Sequence, residues 1–294
     1  MNRKKWSIKF TISASFISLI TVLALFLLLY NYKISRDNAR NLLDIITSEV
    51  TKNAIDETNA YFHRADSSLK VLTKTNRLND ILGQREILLN VMSEFLKAQK
   101  HLSSIFLADG YGSFLQVKRE PYVYREVSEV GEGKRIEYIE YKDENYETSK
   151  ITISPSAYDP RLREWYKSAK KDELWITKPY KFASDNEVGI TISLGGFDEF
   201  GSMLAVGAVD IKLSSLARFL RKQAKKSDSQ IVIYDAESYE FFISSSDELN
   251  SLYAGKGLKI DDIDDTSAII IGAKKSIEES EKGLFSKDGE EFLI

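Results

Sequence analysis

Two residues stand where chemistry has more use for them than packing does. The first lies in Tyr158-Asp-Pro-Arg-Leu-Arg-Glu-Trp-Tyr166. Asp159-Pro160 is a helix start, with Asp as N-cap and Pro in the first turn, and predicts a helix to about Lys171. On that helix Leu162, Trp165, Tyr166 and Ala169 form an apolar stripe, which by periodicity alone is core. Arg163 sits at the edge of the stripe, and a guanidinium beside aromatic rings suits bidentate carboxylate recognition and stacking. The second residue is Asp210, which follows Met203-Leu-Ala-Val-Gly-Ala-Val209 and precedes Ile211. A carboxylate in such a strand costs several kcal/mol if it is buried unpaired. Ser214 already serves as cap for a helix running to Ala224, so Asp210 is not needed there. It either pairs with Arg161 or Arg163, or accepts a ligand ammonium.

Other chemistries find few candidates. The 294 residues contain no cysteine, which removes disulfides, thiolate nucleophiles and Cys-ligated metals. His63 and His101 are the two histidines, and neither has partners at catalytic spacing. Asp261, Asp262, Asp264 and Asp265 do not follow the calcium-loop spacing and read as a solvated acidic loop. Gly195-Gly196 reads as a turn, because no phosphate-loop residues come after it. The basic run Arg218, Arg221, Lys222, Lys225 and Lys226 reads as a solvated helix face. Forty-one basic against 44 acidic residues give a net charge of −3, unlike a nucleic-acid binder. No enzyme activity, metal or cofactor is expected, and 43% hydrophobic residues allow a full core.

The elements that would hold Arg163 and Asp210 can be read from patterning. Phe10–Tyr32 is uncharged and apolar, long enough to cross a hydrocarbon core of about 30 Å. Arg3, Lys4 and Lys5 precede it, so residues 1–9 are expected in the cytoplasm and those after about 33 outside it, at the plasma membrane. A cleaved signal peptide would have a shorter apolar region and a small-residue cleavage site. Lys33–Thr73 reads as one long helix, with Leu43, Ile46, Val50 and Ala54, then Phe62, Ala65, Leu69 and Leu72, at helical spacing. It could pair with a second copy as a homodimer. A second helix is expected over Asn79–Lys100, completing a stalk region of 33–100.

Strands are then expected at Ser104–Ala108, Phe114–Val117, Tyr122–Val127, Lys134–Lys142 and Thr148–Ser154, the last ended by Pro155. Trp175–Phe182, Val188–Leu194 and Met203–Leu213 come next, turned by Asp185-Asn186 and Gly195-Gly196. These make one module over 101–226. A smaller one, 227–294, opens with Gln230–Tyr234 followed by Asp235, which repeats Ile105–Ala108 followed by Asp109. Phe241–Ile243 is its next strand, Ser267–Lys275 a helix, and Leu284–Ile294 a hairpin that leaves the module unfinished.

Tyr158-Asp-Pro-Arg-Leu-Arg-Glu-Trp-Tyr166 resembles the signature of double Cache sensor domains, the extracytoplasmic ligand-binding regions of bacterial transmembrane receptors. Glu164 stands where many of them have Pro. Trp175-Ile-Thr-Lys-Pro-Tyr180, Gly189-Ile-Thr-Ile-Ser193 and Gly207-Ala-Val-Asp210-Ile-x-Leu213 resemble the family too, in the same order. The resemblance runs from Lys33 to the end. It implies an α/β (α+β, PAS-like) fold: an N-terminal transmembrane helix, a long stalk helix and two tandem Cache modules with antiparallel sheets, the second incomplete. In the amino-acid-binding subgroup it implies a ligand set of Tyr158, Arg163, Trp165, Tyr166 and Asp210, with Tyr180 nearby. Arg163 and Trp165 would hold a carboxylate, and Tyr166 and Asp210 an amino group. Phe182 departs from the Asp that amino-acid receptors place two positions after the residue matching Tyr180. The Tyr-x-Phe form is closer to sensors attached to cyclases or other second-messenger enzymes.

The implied function is small-molecule sensing for signal transduction, with an amino acid or related amine or carboxylate as ligand. The implied partners are the lipid bilayer and a cytoplasmic effector (taxis, kinase or cyclase type) that this sequence lacks. The rivals are a structural or adhesive surface protein, which would have no pocket beside Trp165, and an extracytoplasmic enzyme, which would need paired carboxylates or a nucleophile.

Overall fold

The computed structural model describes residues 8–74, 80–131, 133–183, 187–227, 230–235, 237–264, 270 and 273–274. The expected turn at Asp185-Asn186 and the hairpin Leu284–Ile294 lie outside them, and of the helix expected at Ser267–Lys275 only Ile270, Ala273 and Lys274 are described, all helical. The chain divides into two compact units, Met1–Glu57 and Thr58–Ile294. Helix α1 (Ile8–Thr73) begins in the first. Within its stretch Ile12–Leu42 the most apolar 18 residues have a mean hydropathy of 2.6, and the stretch is long and apolar enough to cross a membrane.

The second unit is built on one antiparallel sheet. Its strands are β1 (Ser104–Asp109), β2 (Phe114–Arg119), β3 (Tyr122–Gly131), β4 (Lys134–Lys142), β5 (Thr148–Ser156), β6 (Trp175–Ile176), β7 (Tyr180–Lys181), β8 (Val188–Phe197) and β9 (Met203–Lys212). The order is β5-β4-β3-β2-β1-β9-β8-β6, with β7 also pairing β8. Side chains alternate between its faces, as a period of two requires. Ile105, Leu107, Leu115, Val117, Ile190, Ile192, Val209 and Ile211 point to one side. There they share a core with Ala65, Leu69 and Leu72 of α1, with Leu88, Leu89, Met92 and Leu96 of α2 (Arg85–Ala98), and with Leu216 and Leu220 of α4 (Leu213–Ser227). Gly207 lets α1 approach closely, since a Cβ there would lie 3.1 Å from Thr73 Cγ2. The other face carries Phe106, Ala108, Phe114, Val206 and Ala208, packed with Trp165 and Tyr166. The expected α+β fold with an apolar N-terminal helix and an antiparallel sheet is what the chain forms.

Three of the hairpin turns use one device. Asp109, Asp143 and Asp198 each accept two backbone N–H groups, from the residues two and four positions on, at 2.7–3.0 Å. Such carboxylate turns satisfy amides the ladder leaves free. Asp235, the expected counterpart of Asp109, accepts instead from residues two and three positions on, Glu237 N at 3.1 Å and Ser238 N at 2.6 Å.

Several expectations change. The second helix is shorter than Asn79–Lys100, and α4 starts one residue before the expected cap Ser214. Gly195-Gly196 is not a turn but part of β8, with a register shift just after it, and the reversal falls at Asp198–Ser202. Gly195 is needed there for close approach: a Cβ would meet the Phe197 ring at 2.5 Å. Pro155 does not end its strand, because β5 is an edge and its outer side needs no donor. Trp175–Phe182 forms two dipeptide strands on either side of Pro179. Beyond α4, β10 (Val232–Tyr234) pairs antiparallel with β11 (Phe241–Ser244). The chain then forms a helix not foreseen, α5 (Asp247–Tyr253), its N-terminus capped by the Ser246 hydroxyl.

Candidate ligand-binding site

The helix expected from Asp159 to Lys171 is broken at the residue that matters most. Asp159 caps as expected, accepting from Arg161 N at 2.9 Å, but Pro160–Leu162 forms only a 3-10 turn. Arg163 is then extended (φ −83°, ψ 147°), and α3 (Glu164–Lys167) is a single turn. The break splits the predicted stripe: Leu162 is 69% exposed, while Trp165 and Tyr166 are buried. It also sends the two arginines apart. Arg161 pairs with Asp159 at 2.7 Å, which holds the Asp159 carboxyl below its usual range. Arg163 lines a pocket on the sheet face opposite the helices.

The pocket floor is a row of strand residues. Register places Ser104 of β1 and Thr191 of β8 directly opposite Asp210 of β9, one on each side. Ser104 Oγ donates to Asp210 Oδ2 at 2.7 Å and Thr191 Oγ1 donates to Oδ1 at 2.6 Å. The buried carboxylate is therefore met by hydroxyl donors, as burial demands. Gln116 Nε2 extends the row, donating to Ser104 Oγ at 3.2 Å. Arg125, opposite Gln116 on β3, is ion-paired with Glu137 and stacks 4.7 Å from the Tyr158 ring centroid.

Aromatic rings make the walls. Trp165 meets Phe106 edge-on at 4.9 Å, and Phe114 meets Tyr158 at 5.0 Å. Tyr180 stands against Phe182 at 5.4 Å, and Arg163 lies 6.0 Å from the Tyr180 ring centroid. Burial pushes the Tyr158 phenol up to about 12, against the pull of Arg125 and Arg163. Burial and then the Asp210 carboxylate push Tyr180 above its ordinary value as well. Both phenols stay protonated and neutral. The cavity itself is about 20 Å³, within about 320 Å³ of free space when its mouth is counted.

Of the six expected site residues, Tyr158, Arg163, Trp165, Tyr180 and Asp210 line this pocket. Tyr166 does not: its hydroxyl donates to the Asp109 carbonyl oxygen at 3.0 Å, within the apolar layer behind the wall. Arg125, Gln116, Phe106, Phe114 and Phe182 line the pocket without having been singled out as ligand contacts. The one signal for the polar floor was Thr191, a hydroxyl among apolar neighbours in Gly189-Ile-Thr-Ile.

Phe182 is seated by a glycine. A Cβ on Gly189 would fall 2.2 Å from Phe182 Cζ and 2.5 Å from the Ile211 carbonyl oxygen. The ring could move, but the carbonyl belongs to β9. Gly189→Ala is expected to cost about 1–3 kcal/mol and to displace Phe182 from the pocket. A lowered Tm with unchanged circular dichroism would show it, and an unchanged Tm would refute it.

Residues 89–218, which include every pocket residue named above, match the family model described as methyl-accepting chemotaxis protein-like, first PDC sensor domain. A curated relative, the methyl-accepting chemotaxis protein McpA of Bacillus subtilis (strain 168), is 26% identical over 175 residues, 55% of this chain. The chain spans about a quarter (24%) of that relative's length. Among solved structures, the chain resembles the ligand-binding domain of the Pseudomonas aeruginosa PAO1 amino acid chemoreceptor PctC in complex with GABA. The TM-score is 0.43 at 20% identity, covering 74% of this chain and 79% of that one. It also resembles the ligand-binding domain of the Campylobacter jejuni chemoreceptor Tlp3 in complex with L-valine, with a TM-score of 0.46 at 14% identity, covering 77% and 75%.

Proposed function

We propose that this chain is the extracytoplasmic sensing region of a membrane-anchored signal-transduction receptor. Its ligand is an amino acid or a close analogue carrying both a carboxylate and a protonated amine. The observation that carries this reading is that a guanidinium, Arg163, and a carboxylate, Asp210, distant in sequence, line one aromatic-walled pocket. Arg163 takes the carboxylate in a forked geometry, and Asp210 takes the ammonium. Tyr158, Trp165 and Tyr180 exclude water from both contacts and supply ring faces for the cation. In this reading the sensor passes its state through the N-terminal helix to a cytoplasmic effector.

The pocket has about 320 Å³ of free space with its mouth counted, but its enclosed part, about 20 Å³, holds little more than a water, so a ligand that reaches Asp210 parts the walls. Binding then selects a sheet and wall arrangement different from the empty one, which is what a sensor needs. The test uses the full chain in detergent micelles and a thermal-shift panel of the twenty L-amino acids, followed by simple amines and carboxylates. A ligand at one hundred times its Kd stabilises by about 2.7 kcal/mol, a shift of several degrees. Arg163→Ala should abolish the shift for carboxylate-bearing ligands. A folded protein that responds to no compound in the panel would overturn the reading.

A further inference from the structure

An amino acid carries its carboxylate and its ammonium on one carbon, so the groups that take them must share one end of the pocket. Arg163 and Asp210 share Tyr180. Arg163 lies 6.0 Å from that ring centroid, and the Tyr180 hydroxyl is 2.6 Å from Thr191 Oγ1, which donates to Asp210. A second guanidinium lines the pocket away from this end. Register steps from Asp210 on β9 to Ser104 on β1, and from Phe106 on β1 to Gln116 on β2 and Arg125 on β3. Arg125 is thus three strands from Asp210, about 14 Å between backbones at roughly 4.8 Å per strand. Its planar head lies 4.7 Å from the Tyr158 ring centroid and 5.3 Å from that of Phe114.

A guanidinium has five N–H hydrogens. On Arg125 the Nε hydrogen goes to Glu137, and one Nη1 hydrogen goes to Gln116 Oε1 at 3.4 Å. The other Nη1 hydrogen and both on Nη2 meet no acceptor among the described residues. Gln116 Nε2 gives one hydrogen to Ser104 Oγ at 3.2 Å and keeps its second, and the Tyr158 hydroxyl brings one more. Glu137 balances the charge of Arg125 but is not part of the lining. Lys118, opposite Ser104 on β2, is buried with a partner of its own and is not part of the lining either. The far end of the pocket therefore presents more donors than acceptors.

We propose that Arg125 and Gln116 read a carboxylate at the tip of the ligand's side chain, which makes the ligand an acidic amino acid. This rests on the reading of the pocket as an amino-acid site and names which amino acids it takes. The head group engages Arg163 and Asp210, and the side chain crosses Phe106 and Phe114. Its carboxylate then accepts from Nη1 and Nη2 of Arg125 in a fork, and from the second Gln116 hydrogen. An aliphatic side chain would leave these hydrogens desolvated with no acceptor, and an amide would set its own NH2 against some of them.

The experiment measures Kd by calorimetry for the full chain in detergent micelles, with L-aspartate, L-glutamate, L-glutamine and L-leucine. The better of the two acidic amino acids should bind about tenfold or more tighter than leucine. Arg125→Met, which keeps the apolar stem, should bring that ratio close to one, by weakening the acidic ligand. The single change leaves Glu137 without its partner. Arg125→Met combined with Glu137→Gln removes the orphaned charge, should give the same ratio, and serves if the single variant does not fold. Leucine or glutamine binding as tightly as the acidic amino acids, or an unchanged ratio in a folded variant, overturns the inference while leaving the amino-acid reading intact. Failure of the unaltered chain to bind any of the twenty L-amino acids overturns both.

Discussion

On the proposed reading, Asp210→Ala should cost the chain most of its affinity for an amino acid while leaving it folded. The carboxylate is 5% exposed and lies between two hydroxyl donors at 2.6 and 2.7 Å. Truncating one partner of a buried, hydrogen-bonded charge pair costs about 2–5 kcal/mol of binding, or roughly thirty- to several-thousand-fold in Kd. The loss exceeds that of the charge contact alone, because the ligand ammonium would remain desolvated with no counter-charge. Without ligand, Ser104 and Thr191 lose an acceptor. Calorimetry with the best amino-acid binder, paired with a Tm on the empty protein, separates the two effects. Retained affinity in a folded Asp210→Ala chain would place the ammonium elsewhere and end the proposed role of this residue.

Trp165→Ala should have the largest effect on stability. Trp165 is 2% exposed, with Phe106 edge-on at 4.9 Å, Tyr166 at 5.7 Å and Phe114 at 6.5 Å. Its ring is the keystone of the apolar layer that seats the broken Asp159–Lys167 segment on the sheet. Replacing a buried tryptophan by alanine costs about 3–5 kcal/mol, which for a chain of this size is a fall in Tm of roughly 6–20 °C. Trp165→Phe should lose far less. A fall of under a degree for the alanine variant would show that the ring is a pocket wall only. Because Trp165 also lines the cavity, binding should be compared at temperatures where both variants are fully folded.

How far the sequence could be read depended on the range of the forces involved. Strand positions were legible because alternation and turn chemistry are local: β1 to β5, β8 and β9 lie where Ile105, Phe114, Val123, Ile190 and Val209 put them. Arg163 and Asp210 were legible because each violates its surroundings. The break at Arg163 was not, since Leu162, Trp165, Tyr166 and Ala169 fit a continuous helix equally well. Only the need to bury Trp165 against Phe106 decides for a kinked path that turns Leu162 into solvent. Gly195-Gly196 looked like a turn because glycine permits one; crowding by Phe197 is a tertiary fact. Arg125 lay in a half-polar strand where a charge carries no signal, and it reaches the pocket only because β3 pairs with β2. Tyr166 was assigned to the ligand through resemblance, whereas the one-turn helix aims its hydroxyl at the Asp109 backbone.

The two-sided sheet has a consequence for how a sensor of the proposed kind would report occupancy. Asp210 faces the cavity, and its immediate neighbours Val209 and Ile211 face the helices, beneath Leu69, Leu72 and Leu96. Cargo on one side and machinery on the other ride the same rail. A slide or tilt of β9 that draws Asp210 onto an amine carries Val209 and Ile211 with it through the backbone, with no relay of side chains between. On the proposed reading, the message would leave the pocket as displacement of a strand rather than as transferred charge.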